Sequence, residues 1–178
     1  MRLAALALVI SLAAGCAETP TGSPGILFVA TPEQVGIEML KLAGVTKDDV
    51  VYDLGSGDGR LVIAAAREFG ARGVGVELEA KLVQDSRETA LKAGVADRTR
   101  FLWQDIFQAD VAPATVVALY LSPELNLKLR PKLLRELRHG ARIVSHDFDM
   151  GDWPPTRTLR AKGPTREHTI HLWIVPDR

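Results

Sequence analysis

The sequence predicts an α/β fold in which a mostly parallel, doubly wound sheet carries helices on both faces. From residue 31 onward, short apolar segments alternate with amphipathic segments of about ten to fifteen residues, as repeated βαβ units require. The fourth apolar segment, 114–121, is apolar almost throughout, which indicates a strand buried on both faces. The last two strand-like segments follow each other without a helix, so we expect an antiparallel hairpin at the end.

Glycine and proline mark the limits of the elements in the first half of the domain. Thr31 is predicted to cap a first helix with Pro32 at its first position, and Gly44 follows the helix end near Leu42. The next strands are predicted at 50–54, 73–77 and 99–103, with helices at 60–69 and 80–93 between them. The first two of these strands each end at an acidic residue, which places carboxylates at one edge of the sheet.

The second half continues the alternation and then changes rhythm. After the strand at 114–121, we expect a helix at 123–137, a strand at 141–146, and strands at 156–161 and 169–175. In the last strand Ile170, Leu172 and Ile174 alternate with Thr169, His171 and Trp173, a pattern typical of a half-buried strand.

The composition limits the class of protein. The 178 residues fit one domain, and 47% of them are apolar, enough for a core. Lys and Arg number 22, as do Asp and Glu, so a strongly basic nucleic-acid binder is disfavoured and no nucleic-acid partner is expected. One cysteine excludes an intramolecular disulfide, and no Cys/His cluster has the spacing of a zinc site, so no metal is expected.

The N-terminal segment is typical of an export signal. Arg2 precedes an apolar run, 3–14, that is shorter than the roughly 20 residues a spanning helix needs. The sequence Leu-Ala-Ala-Gly-Cys at 12–16 resembles a bacterial lipobox, so residues 1–15 are predicted to be a signal peptide, cleaved before a lipidated Cys16. Residues 16–30 then form a flexible tether, and the domain occupies 31–178 in the cell envelope, anchored to the membrane. The alternatives are a buried N-terminal helix or a misassigned start, with a cytoplasmic protein.

Acidic residues surround a glycine-rich loop at the predicted sheet edge. Asp53 and Asp58 flank the glycines of the loop 55–59, and Glu77 lies 22 residues after Gly55, where a nucleotide site places its ribose-binding carboxylate. Carboxylates beside a pyrophosphate would repel it, whereas a ligand with a sulfonium and an ammonium would be attracted. The loop therefore favours S-adenosylmethionine over a dinucleotide as the cofactor.

The segment Val-Tyr-Asp-Leu-Gly-Ser-Gly-Asp-Gly-Arg at 51–60 closely resembles the cofactor loop of class I, Rossmann-like methyltransferases that use S-adenosylmethionine. The resemblance covers roughly residues 31–175 and implies a seven-strand sheet in the order 3-2-1-4-5-7-6. Together with Thr-Pro-Glu at 31–33 and Tyr-Leu-Ser-Pro at 120–123, the loop resembles the small protein-lysine methyltransferases of archaea and mitochondria. At 120–123 the chain lacks the Asn/Asp-Pro-Pro-Tyr/Phe motif of enzymes that methylate planar amides or bases, which disfavours that substrate class.

The resemblance implies a role for each cofactor-site residue. The loop would line the methionine part of the cofactor, Asp53 would orient its amine, Glu77 would hold the ribose, and Leu78 would contact the adenine. The full predicted set is Asp53, Gly55, Ser56, Gly57, Asp58, Gly59, Glu77, Leu78, Asp105 and Ile106, of which the last two would meet the adenine amino group.

The acceptor site is predicted at the ends of the fourth and fifth strands. A lysine must lose a proton before it accepts a methyl group, and Tyr120, Ser122, His146 and Asp147 are the candidates to hold the neutral amine or take the proton. For His146 the alternative is an ordinary strand-end histidine.

We expect a monomer that methylates an amine, with a protein lysine as the leading acceptor. The alternatives are a methyltransferase for a small or lipid-soluble molecule, a cofactor-binding domain without turnover, and, disfavoured by the loop chemistry, a nicotinamide oxidoreductase.

Overall fold

The fold is that of a computed structural model, which describes residues 30–177. The helices are α1 (Glu33–Leu42), α2 (Arg60–Phe69), α3 (Ala80–Lys92) and α4 (Pro123–Glu136). The strands are β1 (Val50–Leu54), β2 (Arg72–Glu77), β3 (Thr99–Trp103), β4 (Val116–Leu119), β5 (Arg142–His146), β6 (Arg157–Lys162) and β7 (Glu167–Ile174). The predicted signal peptide, Cys16 and all of the tether except residue 30 lie outside the described residues. None of the helices within 30–177 combines the length and the apolar character needed to cross a bilayer.

The seven strands form one sheet in the order β3-β2-β1-β4-β5-β7-β6, which confirms the predicted topology. Strands β1 to β5 pair in parallel, and β7 runs antiparallel between β5 and β6. The chain winds outward from β1 in one direction and then, from β4, in the other. The carboxyl ends of β1 and β4 therefore meet at the switch point, where open α/β sheets bind their ligands.

Helices cover both faces of the sheet, and the central strands are apolar on both sides for that reason. On β4, Val116 packs in one cluster with Leu40 of α1, whereas Val117 packs in the opposite cluster with Leu129 and Leu133 of α4. All four residues of β4 are fully buried. This confirms the prediction that the fourth strand lies in the interior.

The fourth strand is shorter than predicted, and its end shapes the site. It ends at Leu119, so Tyr120 and Leu121 leave the sheet before α4 begins. Before its start, the backbone N–H of Thr115 still donates to Val50 and its carbonyl accepts from Arg142, while its hydroxyl donates to Asp49 Oδ1 at 2.6 Å. The prediction of 114–121 rested on apolar character alone. That character does not show where the backbone stops pairing with the neighbouring strands.

Two further local predictions are wrong. Thr31 does not cap α1; the residue before the helix is Pro32, and the Thr31 hydroxyl instead bonds to Nδ1 of His146 at 3.0 Å. At the end of β7, Trp173 is fully buried and Ile174 is exposed, the reverse of the simple alternation. Trp173 is buried because it packs with α4, and its indole N–H donates to the carbonyl of Trp153 at 2.9 Å.

Candidate active site

A cavity of about 530 Å³ opens at the carboxyl ends of the central strands. This volume lies in the range of about 300–1,000 Å³ that is usual for small-ligand sites. Its lining combines acidic residues after β1 and β2 with apolar residues from the segments that follow β3 and β4. The predicted site residues that line it are Asp53, Gly55, Ser56, Asp58, Glu77, Leu78, Asp105, Ile106 and Tyr120. The structure thus brings together nine of the residues that the sequence singled out.

Asp53 is a buried carboxylate at the floor of this cavity. It lies in β1 between its strand partners Gly75 of β2 and Ala118 of β4, and only 8% of it is exposed. Within residues 30–177 its carboxylate has no hydrogen-bond donor. Burial first, and then the charges of Glu77 and Asp58, raise the pKa of Asp53 to about 7. A cationic group in the cavity would relieve this penalty.

Glu77, the last residue of β2, is held by backbone N–H groups. Its Oε2 accepts from Gly57 at 2.9 Å, and its Oε1 accepts from Leu78 at 2.7 Å and Glu79 at 2.9 Å. These bonds fix the carboxylate on the cavity wall, so it can accept hydrogen bonds from a pair of hydroxyls without first being ordered.

The three glycines of the loop 55–59 have different roles in the structure. Gly55 has φ +82° and lines the cavity, where a Cβ would come within 2.9 Å of Leu121. Gly57 serves the site through its bond to Glu77. Gly59, at φ +76°, precedes α2, and a Cβ there would lie 2.6 Å from the ring of Phe101. Gly59 therefore allows the loop to pack against β3, rather than lining the cavity as predicted.

Asp58 is paired, unlike Asp53. Burial alone would raise the pKa of Asp58, but the hydrogen bonds and charge of Arg60 outweigh burial and hold that pKa below its usual value. The Arg60 guanidinium also donates to the carbonyl of Thr31 at 3.3 Å. Asp58 is thus neutralised at the rim, whereas Asp53 and Glu77 have no cationic partner among the described residues.

The far end of the cavity has apolar walls. Leu78 and Ile106 line it, and Oδ1 of Asp105 accepts from the backbone N–H of Phe107 at 2.9 Å, which fixes that turn. The indole N–H of Trp103 donates to the carbonyl of Leu78 at 2.9 Å. Sequence analysis missed Trp103, because a strand-end tryptophan carries no signal that separates packing from a site.

Of the four acceptor candidates, Tyr120 alone lines the cavity. Its ring stacks on His146 with 3.9 Å between centroids and lies near Phe148 at 6.3 Å. The hydroxyl of Ser122 instead accepts from the backbone N–H of Leu125 at 3.3 Å and caps α4. A serine before a proline at the start of a helix is a capping pattern, so this signal was present in the sequence.

His146 is fully buried beneath Tyr120 and is not part of the cavity lining. Its Nδ1 bonds to Thr31 at 3.0 Å and its Nε2 to Nδ1 of His168 at 2.7 Å. Burial is the main cause that lowers the pKa of His146 to about 4. A ring that is neutral and has both nitrogens bonded does not accept a proton near neutral pH from this position, which differs from the prediction.

Asp147 follows β5 in the left-handed region, at φ +62°, which is unusual for a residue other than glycine. Its carboxylate accepts from Arg166, which forms an ion pair with it, and its Oδ1 accepts from the Thr169 N–H at 2.9 Å. Burial alone would raise the pKa of Asp147, but Arg166 and Thr169 are among the groups that lower it. Sequence analysis missed Arg166 and His168, since their position depends on the register of β7 against β5.

The residues of the cavity fit S-adenosylmethionine. An unpaired Asp53 suits the ammonium group, the fixed Glu77 suits the ribose hydroxyls, and Leu78 with Ile106 suits a flat adenine ring. Ser56 is among the lining residues, but its hydroxyl is buried beside Gly75 and has no hydrogen-bond partner within the described part of the chain.

Comparisons with known proteins agree with this chemistry. A profile of the ANTKMT methyltransferase domain matches residues 53–157, more than half of the chain. A protein-lysine N-methyltransferase of Saccharolobus islandicus is 38% identical over 155 residues, which cover 86% of this chain and 96% of that protein. The mouse adenine nucleotide translocase lysine N-methyltransferase is 38% identical over 110 residues, or 61% of this chain and 48% of the relative.

A solved structure is similar over most of its length. The crystal structure of an RNA methyltransferase from Salinibacter ruber in complex with S-adenosyl-L-homocysteine has 52% sequence identity and a TM-score of 0.81. The alignment covers 84% of this chain and 95% of that one. The fold, the acidic cavity and these similarities agree: the chain belongs to the ANTKMT methyltransferase-domain family, and it is an S-adenosylmethionine-dependent methyltransferase of class I.

Proposed function

We propose that this enzyme methylates the side-chain amine of a protein lysine. The observation that carries the proposal is the similarity to the S. islandicus protein-lysine N-methyltransferase, which spans 96% of that protein and includes the whole cavity described above. Because the matched region is nearly the entire relative, the acceptor site of that relative lies within the aligned residues.

The residues of this chain can be given roles in such a transfer. Bound S-adenosylmethionine supplies an electrophilic methyl group, and methyl transfer is an in-line displacement that depends mainly on positioning. Asp53 holds the ammonium end and Glu77 the ribose. Tyr120, where the chain leaves β4, presents its hydroxyl to the incoming amine.

The cavity wall beyond Tyr120 suits an aliphatic side chain. Leu121 and Leu125, which follow β4, line the cavity together with Phe107. A lysine stem of four methylene groups can pack on such apolar surface while its amine reaches the polar end.

RNA is the second candidate acceptor, because the S. ruber structure that is 52% identical is described as an RNA methyltransferase. Nucleic-acid binding depends on a concentration of basic residues that neutralise phosphates. This chain has equal numbers of basic and acidic residues, and the edge around its cavity carries Asp53, Glu77 and Asp105. The charge distribution therefore favours a protein.

Incubation with methyl-labelled S-adenosylmethionine tests these alternatives. The purified enzyme is supplied separately with a total protein extract, total RNA and a lipid extract from the source cells. We expect label in protein, recovered as methyl-lysine after acid hydrolysis, and strongly reduced for Tyr120→Phe. Label recovered in RNA or in the lipid extract would refute the proposal, as would an absence of transfer to any extract by an enzyme shown to bind the cofactor.

We also propose, from residues 1–16 alone, that the mature protein is anchored in the bacterial cell envelope through a lipid on Cys16. The support is the charged start, the apolar run and the lipobox-like sequence. S-adenosylmethionine is made in the cytoplasm, so an exported enzyme would need its own access to the cofactor. Cell fractionation of the full chain with a C-terminal tag tests the location directly.

A further inference from the structure

Three side chains that can bind a metal converge beneath Tyr120, outside the cavity. His146 and Asp147 come from the end of β5, and His168 comes from the neighbouring strand β7. His146 Nε2 lies 2.7 Å from His168 Nδ1 and 3.4 Å from Asp147 Oδ2. The distance from His168 Nδ1 to the same oxygen is 3.8 Å. The roles proposed above for Asp53, Glu77 and Tyr120 in methyl transfer involve none of these three atoms.

The triangle of these atoms has the size of a metal site. With sides of 2.7, 3.4 and 3.8 Å, a point close to its plane lies about 2.1 Å from all three corners. That is the length of a bond from Zn²⁺ to a histidine nitrogen or carboxylate oxygen. Two imidazoles and a carboxylate form a common ligand set for zinc, and they leave a fourth position open.

The surroundings hold the ligand atoms in place. Nδ1 of His146 bonds to the Thr31 hydroxyl at 3.0 Å, so its Nε2 can face inward as a lone pair. The Thr169 N–H fixes Oδ1 of Asp147, which leaves Oδ2 toward the rings. For His168, Nε2 is buried and without a partner in the described residues, so it can carry the ring proton while Nδ1 binds.

Arg166 competes with a metal ion for the same carboxylate. Its guanidinium is paired with Oδ2 of Asp147, and half of its side chain is exposed to solvent. The side chain can therefore turn outward when a cation takes its place. Metal binding then exchanges one positive partner of Asp147 for another. The proton between His146 Nε2 and His168 Nδ1 moves to His168 Nε2 and stays on the protein.

We propose that His146, Asp147 and His168 form a binding site for a divalent transition-metal ion of the zinc class. The positions 146, 147 and 168 follow no zinc spacing, which is why sequence analysis expected no metal; the antiparallel pairing of β5 with β7 brings them together. The inference is independent of the proposed lysine substrate, because it concerns binding and not methyl transfer.

Titration of the full chain with Co²⁺, a spectroscopic substitute for Zn²⁺, tests the site. The protein is purified without a histidine tag, stripped with a chelator, and carries Cys16→Ser in every sample to remove the only thiol. The chain has four histidines, so His139→Gln and His171→Gln provide matched controls outside the cluster. Circular dichroism and binding of S-adenosylmethionine confirm that each variant is folded.

We expect one equivalent of Co²⁺ to bind with the visible spectrum of a low-coordinate site, and Zn²⁺ to displace it. His168→Gln and Asp147→Asn should each weaken binding by more than about 100-fold, and Thr31→Val by about 10–100-fold, as is usual for a group that orients a ligand. The two control variants should bind like the parent. An absence of stoichiometric binding to the folded parent, or an equal loss in the control variants, would overturn the proposal.

Discussion

Replacement of Asp53 by asparagine should stabilise the ligand-free protein while it weakens cofactor binding. Burial and two neighbouring carboxylates raise the pKa of Asp53 from 3.8 to about 7 in the folded chain. The folded state therefore binds a proton more tightly than the unfolded state does. Stability conferred by the neutral form is fully present below pH 3.8 and is lost progressively up to about pH 7, above which the difference is constant.

The size of the effect follows from the shift. One pKa unit corresponds to about 1.4 kcal/mol, so the shift of Asp53 corresponds to an upper limit of about 4 kcal/mol at pH 8. Asparagine has nearly the same shape and carries no charge. For Asp53→Asn we expect a free energy of unfolding about 2–4 kcal/mol above that of the parent at pH 8, and almost no difference near pH 4.

Urea unfolding of the ligand-free protein at several pH values measures this difference, with the slope of each transition checked for change. Asp97→Asn is the matched control, because Asp97 is exposed and its loss changes the net charge by the same amount. A gain for Asp53→Asn that is the same at pH 4 and pH 8 would refute the electrostatic reasoning, and so would a net loss of stability at pH 8.

The same charge should control cofactor affinity in the opposite direction. An ammonium group binds the ionised form of Asp53, so the affinity for S-adenosylmethionine should rise by up to about tenfold per pH unit between pH 5 and 7. Asp53→Asn should bind weakly, with no such dependence. Calorimetric titration at each pH provides the measurement, and a parent affinity that is flat over this range would contradict the assignment of Asp53.

Three further outcomes are expected. In Glu77→Gln an amide NH2 group replaces one of the two oxygens that accept from three backbone N–H groups, so a donor faces a donor. This variant should weaken cofactor binding by about 10–100-fold in a calorimetric titration. Gly59→Ala should lower the free energy of unfolding in urea by about 2–4 kcal/mol. Gly140→Ala, with the same φ of +76° but open space around it, should lower it by only about 1 kcal/mol. Equal losses would show that backbone strain alone, and not the contact with Phe101, sets the cost. Cys16→Ser should move the full-length protein from the membrane fraction to the soluble fraction, and an unchanged distribution would remove the lipid-anchor proposal.

The cofactor half of the site could be predicted because its signals are local. Asp53 and Glu77 each lie at the end of an apolar strand, and the carboxyl ends of parallel strands meet at one edge whatever else the chain does. Asp53 and Glu77 end the two strands of one βαβ unit, so their separation in sequence was enough to place them side by side. The same reasoning placed Gly55 on the cavity.

The acceptor half could not be predicted to the same degree, because the position of its side chains depends on distant segments. A histidine at the end of β5 is exposed or buried according to what covers it, and Tyr120 with His168 covers His146. Arg166 meets Asp147 only because β7 lies beside β5 in antiparallel register. Ser122 is the exception, because a serine before a proline that starts a helix is a capping pattern in the sequence itself.

The carboxylate on the cofactor side of the site, Asp53, is unpaired in the described part of the chain, whereas Asp147 on the acceptor side is paired. Methyl transfer to an amine gives a reason for this difference. The cofactor is a cation, so an unpaired Asp53 on its side of the cavity attracts it. The acceptor amine must be neutral when it attacks, and an unpaired carboxylate beside it would stabilise the ammonium form instead. Asp147, a carboxylate on the β5 side of Tyr120, is held by Arg166, whose guanidinium also lies beside the Tyr120 hydroxyl. The pairing with Arg166 offsets the charge of Asp147, so no unpaired carboxylate on that side stabilises a protonated lysine at the Tyr120 hydroxyl.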